Sequence, residues 1–170
     1  MKHYFNKTAL FSALLCLCLA INALESILMH PLVIPFPGVK LGLSNIVILY
    51  AISTNEKTLP WILTISKTVF GALLFGSPLT FFFSICGGLF SVSLMLLSKP
   101  LINQKFSFFS ISIIGSLGFQ IGQSLATYLI YGTPVLYYIP ILLFFGILSG
   151  ALLGTIQNIL FVRLNKITFN

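Results

Sequence analysis

The sequence predicts an all-α integral membrane protein, a bundle of six transmembrane helices, and three observations carry this prediction. The 170-residue chain is 58% apolar, and its mean hydropathy is +1.08. Only 6% of its residues are charged, whereas soluble domains carry about 25%. The apolar residues also fall into six runs, most of them near the ~20 residues that a helix needs to cross the hydrocarbon core. Lipid is therefore the predicted solvent.

Proline, glycine and polar residues separate the apolar runs along the chain. They predict a single domain over residues 1–170, with helices at about 8–29, 41–54, 58–75, 78–98, 106–131 and 134–164. The first run resembles a signal sequence in its basic N-terminus. It is longer than the ~7–15 apolar residues of such a signal and lacks a clear cleavage site, so we predict a retained helix.

The second run is too short to span a bilayer. Residues 41–54 would make a helix of only about 21 Å, which indicates a helix that begins below the membrane surface. The preceding stretch PFPGVK (35–40) would then lie partly inside the protein, which is tolerated where protein buries the backbone or a cavity is lined by it. We therefore predict a lid loop made of Pro35, Phe36, Pro37 and Gly38.

The basic residues predict the orientation. With the N-terminus inside, only Lys40 falls in an external loop, and Lys67 falls within the third helix. Seven basic residues lie on the cytoplasmic side: Lys2, Lys7, Lys57, Lys99, Lys105, Arg163 and Lys166. This positive-inside bias predicts a multi-pass protein of the plasma or inner membrane with both termini cytoplasmic.

The few charged residues also exclude functions. The basic residues form no run or helix face, which argues against nucleic acid as a partner. The chain has two side-chain carboxylates, Glu25 and Glu56, and no aspartate. No metal-ligand spacing and no Walker motif is present, so we predict no metal, no cofactor and no ATP hydrolysis by this chain.

Four polar residues are expected to meet in the outer half of the bundle. An ammonium near the bilayer centre costs at least about 2.5 kcal/mol, so Lys67 should face the interior, where Glu25 is the carboxylate placed to meet it. Asn45 and Gln123 belong to the same layer, beneath Lys40 of the loop. Two interpretations stay open: a structural Lys67–Glu25 ion pair, or a small-molecule pocket lined by all five residues.

Small and polar residues recur at helical spacing elsewhere. Ala9 and Ala13 in the first helix have the small-xxx-small spacing that lets helices approach closely, within the chain or against a partner subunit. Packing within the chain is the favoured use of the glycine rows Gly115, Gly118, Gly122 and Gly146, Gly150, Gly154. A polar stripe on the fifth helix consists of Ser116, Gln120, Gln123, Thr127 and Tyr131.

The motifs PFPGVKLGLSNIVIL, KTVFGALLFG, SICGGLFSVSLM and GTPVLYYIP follow one another along nearly the whole chain. In this order they resemble the Gx transporter family, which is grouped with the substrate-binding S components of energy-coupling factor (ECF) transporters. Some of its members carry the label heptaprenyl diphosphate synthase component I. Family members usually have arginine at the position of Lys67 and a His-Asn pair at Phe119–Gln120.

The resemblance implies a six-helix S-component fold with an external pocket under the loop between the first two helices. It also implies a partner module made of a transmembrane T subunit and two ATPases. S components commonly present small residues of the first helix to the T subunit, which here implies a contact through Ala9 and Ala13. The pocket residues under this interpretation are Lys40, Asn45 and Lys67, with Glu25 orienting Lys67.

Three functions therefore stay open. The first is a non-enzymatic, substrate-capturing subunit of an ECF-type importer. The second is a membrane accessory subunit in isoprenoid synthesis; a catalytic role is excluded because prenyl diphosphate synthases bind magnesium diphosphate through aspartates, which this chain lacks. The third is a structural subunit with a dry interior.

Overall fold

The computed structural model describes residues 2–29, 40, 42–54, 56–75, 77–99 and 108–168. Six α-helices and one 3₁₀ helix account for most of them, and the described residues contain no β-strand. The helices are α1 Lys2–Met29, α2 Asn45–Ser53, α3 Leu59–Phe75, α4 Pro78–Ser98, α5 Phe108–Tyr131 and α6 Ile139–Thr168, with the 3₁₀ helix Thr133–Tyr137 before α6.

The all-α prediction is confirmed, and the helix bounds differ from the predicted ones by four residues or more at four places, one of them the end of α6 at Thr168 rather than near residue 164. Helix α1 begins at Lys2 rather than near residue 8. Helix α2 begins at Asn45 rather than near residue 41, because a left-handed Gly42 precedes it. Pro134 lies in the 3₁₀ helix and α6 begins only at Ile139, because the chain turns through Gly132 at positive φ before it can become α-helical.

Helix lengths show a helical membrane protein. Four stretches are long and apolar enough to cross a bilayer: Lys7–Ile27, Pro78–Ser98, Phe109–Tyr131 and Ile139–Ile159. The apolar stretch Leu59–Leu74 of α3 is shorter. Helix α2, with nine residues, is only about 14 Å long, less than half of the ~30 Å hydrocarbon core.

Helix α5 lies between α4 and α6 at the centre of the fold. Its glycine row is in close approach to α4; at Gly122, for example, an added Cβ would lie 2.6 Å from the Cys86 carbonyl oxygen. The glycine row of α6 packs against α5 in the same way, with Gly150 beside Ile113. The predicted use of both rows for packing within the chain is therefore confirmed. The α5 polar stripe points inward, and Ser116, Gln120, Gln123 and Thr127 are all buried.

Contacts between loops show which helix ends lie together. Lys7 near the start of α1 pairs with Glu56 between α2 and α3. Lys99 at the end of α4 donates to the Ile52 and Thr54 carbonyl oxygens at 2.7 and 3.2 Å. The start of α1, the end of α2, the start of α3 and the end of α4 therefore meet at one end of the bundle. Consecutive helices thus run in alternating directions.

Candidate functional site

The site is built around a turn, residues 42–45, which leads into α2 and which we call the 42–45 turn. Gly42 has φ +82°, a left-handed conformation that favours glycine. The Asn45 N–H donates to the Gly42 carbonyl at 2.9 Å and the Ile46 N–H to the Leu43 carbonyl at 3.2 Å. These bonds leave the N–H groups of Gly42 and Leu43 to be satisfied by other parts of the protein.

Glu25 accepts both of those N–H groups. The Gly42 N–H donates to Oε1 at 2.7 Å, and the Leu43 N–H donates to Oε2 at 3.1 Å. The Glu25 side chain is 1% exposed, so its bonds to the backbone replace those it would make with water. Glu25 therefore joins α1 to the 42–45 turn through two charge-assisted hydrogen bonds.

Lys67 of α3 holds the other side of the same turn. Its ammonium donates to Ser44 Oγ at 3.0 Å and to Asn45 Oδ1 at 2.7 Å, and the side chain is 5% exposed. Within the described residues Lys67 and Glu25 make no ion pair within 4.0 Å. The Lys67–Glu25 ion pair, one of the two interpretations left open by the sequence, is therefore not formed as a direct contact, because hydrogen-bonding groups of the 42–45 turn lie between the two charges.

Gln123 of α5 binds the chain just before the turn. The Lys40 N–H donates to Gln123 Oε1 at 3.0 Å, and Gln123 Nε2 donates back to the Lys40 carbonyl at 3.1 Å. The Lys40 ammonium donates to Asn22 Oδ1 of α1 at 2.7 Å. Burial lowers the pKa of Lys40, whereas the nearby Glu25 carboxylate raises it. The Gln123 amide thus pairs with the Lys40 backbone as a neighbouring β-strand would.

The structure therefore brings together the five residues expected to line a pocket. The lid residues Pro35, Phe36, Pro37 and Gly38 lie outside the described residues. Ala9 and Ala13 are exposed on α1, in its half remote from Glu25.

Two site residues escaped the sequence analysis: Asn22, which accepts from Lys40, and Ser44, which accepts from Lys67. Asn22 carried a signal, since it is an amide within an apolar helix, three residues before Glu25 and hence on the same face. Ser44 carried none, because a serine before a helix is most often a simple cap.

A cavity of about 20 Å³ lies against this cluster. Its lining includes both lysines and Glu25, together with Thr68, Ser84 and Phe119. This volume is enough for about one water molecule and far below the ~300–1,000 Å³ of pockets for drug-sized ligands. In this conformation the site is closed around its own polar groups.

Counted in the ordinary charged forms of its side chains, the cluster has one more positive than negative charge. Lys40 and Lys67 contribute two ammonium groups, and Glu25 contributes one carboxylate. The only other side-chain carboxylate of the chain is Glu56, which pairs with Lys7 at the opposite end of the bundle. The site therefore has an uncompensated positive charge in a region where charge is costly.

We expect Gln123→Ala to speed hydrogen exchange in the peptide that contains Lys40. Losing two hydrogen bonds worth about 1 kcal/mol each should raise local exchange by roughly 10-fold or more. Thr127→Ala is the matched control, since the Thr127 hydroxyl bonds only the Gln123 carbonyl of its own helix among the described residues. Equal exchange in the two variants, measured by mass spectrometry in detergent, would contradict the role assigned to Gln123.

The fold and the site define an all-α membrane protein with a buried, charged polar site between its helices. The sequence model of the family described as heptaprenyl diphosphate synthase component I matches residues 14–160. The chain therefore belongs to this family. Its description is the same as the label that some members of the Gx transporter family carry. No curated protein and no solved structure matches the chain.

Proposed function

We propose that this protein is the substrate-capturing membrane subunit of an ECF-type importer. In this proposal it binds a small molecule from outside the cell at the Glu25, Lys40 and Lys67 cluster. The single observation that carries the proposal is that cluster: Glu25 and Lys67 bind the 42–45 turn, and both line one cavity together with Lys40.

A purely structural role accounts poorly for these groups. A buried ion pair stabilises only when its charges and hydrogen bonds are satisfied, and here one ammonium has no counter-charge. Asn45 Nδ2 and Ser84 Oγ are also buried without a hydrogen-bond partner in the described part of the chain. Buried polar groups left in this state cost free energy, and intramembrane ionisable residues are characteristic of substrate sites.

The short helix α2 supports a site that opens to one side. It has nine residues, too few to cross the bilayer alone, and a non-helical turn leads into it. Membrane proteins use such interrupted helices where backbone lines a binding cavity. In our proposal the loop before Lys40 covers the cavity from outside, and α2 together with the chain before it counts as one of six membrane-crossing segments. Both termini are then cytoplasmic, in agreement with the alternating helix directions and the positive-inside bias.

The test is to purify the tagged, full-length chain from its own host in a mild detergent. We expect a transmembrane T subunit and two ATPases to co-purify, and native mass spectrometry to show a bound small molecule on the chain. A preparation that contains neither the ATPases nor a ligand would overturn the proposal.

The family description favours a second candidate function, a non-catalytic membrane subunit in isoprenoid synthesis. This candidate predicts that the same purification yields a prenyl diphosphate synthase instead of ATPases. It also predicts that deleting the chain lowers the yield of long-chain prenyl diphosphate in membranes. Capture of the synthase without ATPases would replace our first proposal with this one.

The exposed alanines of α1 provide a further prediction. If Ala9 and Ala13 contact the T subunit, replacing both with leucine should reduce recovery of the ATPases by about 10-fold, because close helix packing requires small side chains. Ala20→Leu is the matched control, since Ala20 is also exposed on α1 but lies nearer its outer end. Quantifying the ATPases in parallel purifications checks this, and equal losses in both variants would contradict the assigned contact.

A further inference from the structure

We propose that the ligand carries an oxyanion, a carboxylate or phosphate group, which binds between the ammonium groups of Lys40 and Lys67. This inference rests on the proposed function and specifies its substrate class.

The cluster contains more hydrogen-bond donors than acceptors. A lysine ammonium has three hydrogens to donate and accepts none. Lys67 uses two of them, and Lys40 uses one within the described part of the chain. Both lysines line the cavity, so the hydrogens that they do not use in the described part of the chain suit a ligand group rich in acceptor oxygens.

The net charge of the cluster also favours an oxyanion as the ligand. The one carboxylate of the cluster, Glu25, is already engaged by two backbone N–H groups. A singly charged oxyanion would make the cluster neutral, whereas a cation would raise its charge to +2. Hydrogen bonds between ammonium groups and carboxylate or phosphate oxygens are among the strongest in proteins, which suits a site that has to hold its ligand away from water.

The cavity beside the two lysines is the proposed position of the oxyanion. Lys40, Lys67 and Ser84 all line it, and Phe119 forms an apolar wall. Because the cavity of about 20 Å³ holds only about one water, an oxyanion enters when the 42–45 turn moves away from Lys67. Binding should therefore replace the Lys67 bonds to Ser44 and Asn45 with bonds to the ligand.

The first experiment measures thermal unfolding of the ligand-depleted protein in detergent, followed by the fluorescence of its one tryptophan, Trp61. Sodium phosphate, sodium acetate and choline chloride are compared at equal ionic strength. We expect phosphate or acetate to raise Tm by about 2 °C or more, as binding to the folded state alone requires, and choline to have no effect. Whichever salt acts more strongly identifies the group.

Three variants make the result specific. Lys67→Met should abolish the oxyanion shift, and Lys40→Met should do the same if Lys67→Met fails to fold. Lys99→Met is the matched control, because Lys99 also donates to two carbonyl groups but at the opposite end of the bundle. It should keep the full shift. The absence of any oxyanion shift in the wild-type protein, or an equal shift in the Lys67 and Lys99 variants, overturns the inference.

The second experiment separates this inference from the function on which it rests. Ligand extracted from the purified complex is analysed by mass spectrometry for a carboxylate or phosphate group, which we expect to find. A neutral or cationic ligand would overturn the oxyanion inference and leave the capturing function in place. A chain that holds no ligand and recovers no ATPases would overturn both.

Discussion

Replacing Glu25 with alanine is expected to destabilise the protein by about 3–5 kcal/mol, the cost typical of removing one partner from a buried charged network. The carboxylate accepts the N–H groups of Gly42 and Leu43 and is the only negative charge near Lys40 and Lys67. Without it, two N–H groups lose their acceptors and two buried ammonium groups lose their counter-charge. Neither loss can be repaired by water without opening the bundle.

The chain offers one matched control for this prediction. Glu56 is its other side-chain carboxylate and pairs with Lys7, but the Glu56 side chain is 49% exposed. Exposed ion pairs contribute about 0–1 kcal/mol, so Glu56→Ala should have a small effect. The free energy of unfolding of both variants can be measured by denaturant titration in detergent micelles. Similar losses in both would show that Glu25 does not hold the 42–45 turn.

The sequence alone predicted that Glu25, Asn45, Lys67 and Gln123 come together, although it did not predict Asn22 and Ser44. Lys67 and Glu25 lie in apolar helices that lipid surrounds, so the side chain of each had to face the interior and contact other polar groups. With few such residues available, Asn45 and Gln123 were the natural neighbours. The same scarcity of polar groups made the helical membrane fold predictable.

The pairing of these residues could not be predicted, because it depends on backbone positions. Lys67 and Glu25 are complementary in charge, yet each binds the 42–45 turn rather than the other. The start of α2 at Asn45 depends on the left-handed conformation of Gly42, and hydropathy does not record backbone conformation. Asn22 was missed because its partner, Lys40, is distant in sequence and belongs to a loop.

The 42–45 turn is thus the point where three helices are joined. Glu25 attaches it to α1, Lys67 attaches it to α3, and Gln123 attaches Lys40, two residues before the turn, to α5. Any displacement of this turn breaks charge-assisted bonds on two sides at once. A ligand that moves the turn must therefore replace those bonds, which couples binding at the cavity to the position of the turn.

Gly42→Ala is expected to destabilise the protein strongly and to weaken ligand retention. A side chain at φ +82° costs about 1–2 kcal/mol in backbone strain. The added Cβ would also lie 2.9 Å from Asn45 Nδ2 and 3.1 Å from Phe119 Cδ1. Asn45 cannot simply rotate away, because its side-chain oxygen accepts the Lys67 ammonium. Overpacking of this kind costs about 1–3 kcal/mol more.

Gly132→Ala is the control for alanine at a positive φ without a tight contact. Gly132 has φ +74° and ψ −152°, a conformation that is essentially restricted to glycine, but nothing lies within 4 Å of an added Cβ. The Gly132 variant should therefore lose stability through backbone strain and keep its ligand, whereas the Gly42 variant should release its ligand. Unfolding titrations measure the stability of both purified variants, and native mass spectrometry measures the ligand that each retains. If both variants retain the ligand, the tight contact between Gly42, Asn45 and Phe119 has no part in holding the site closed.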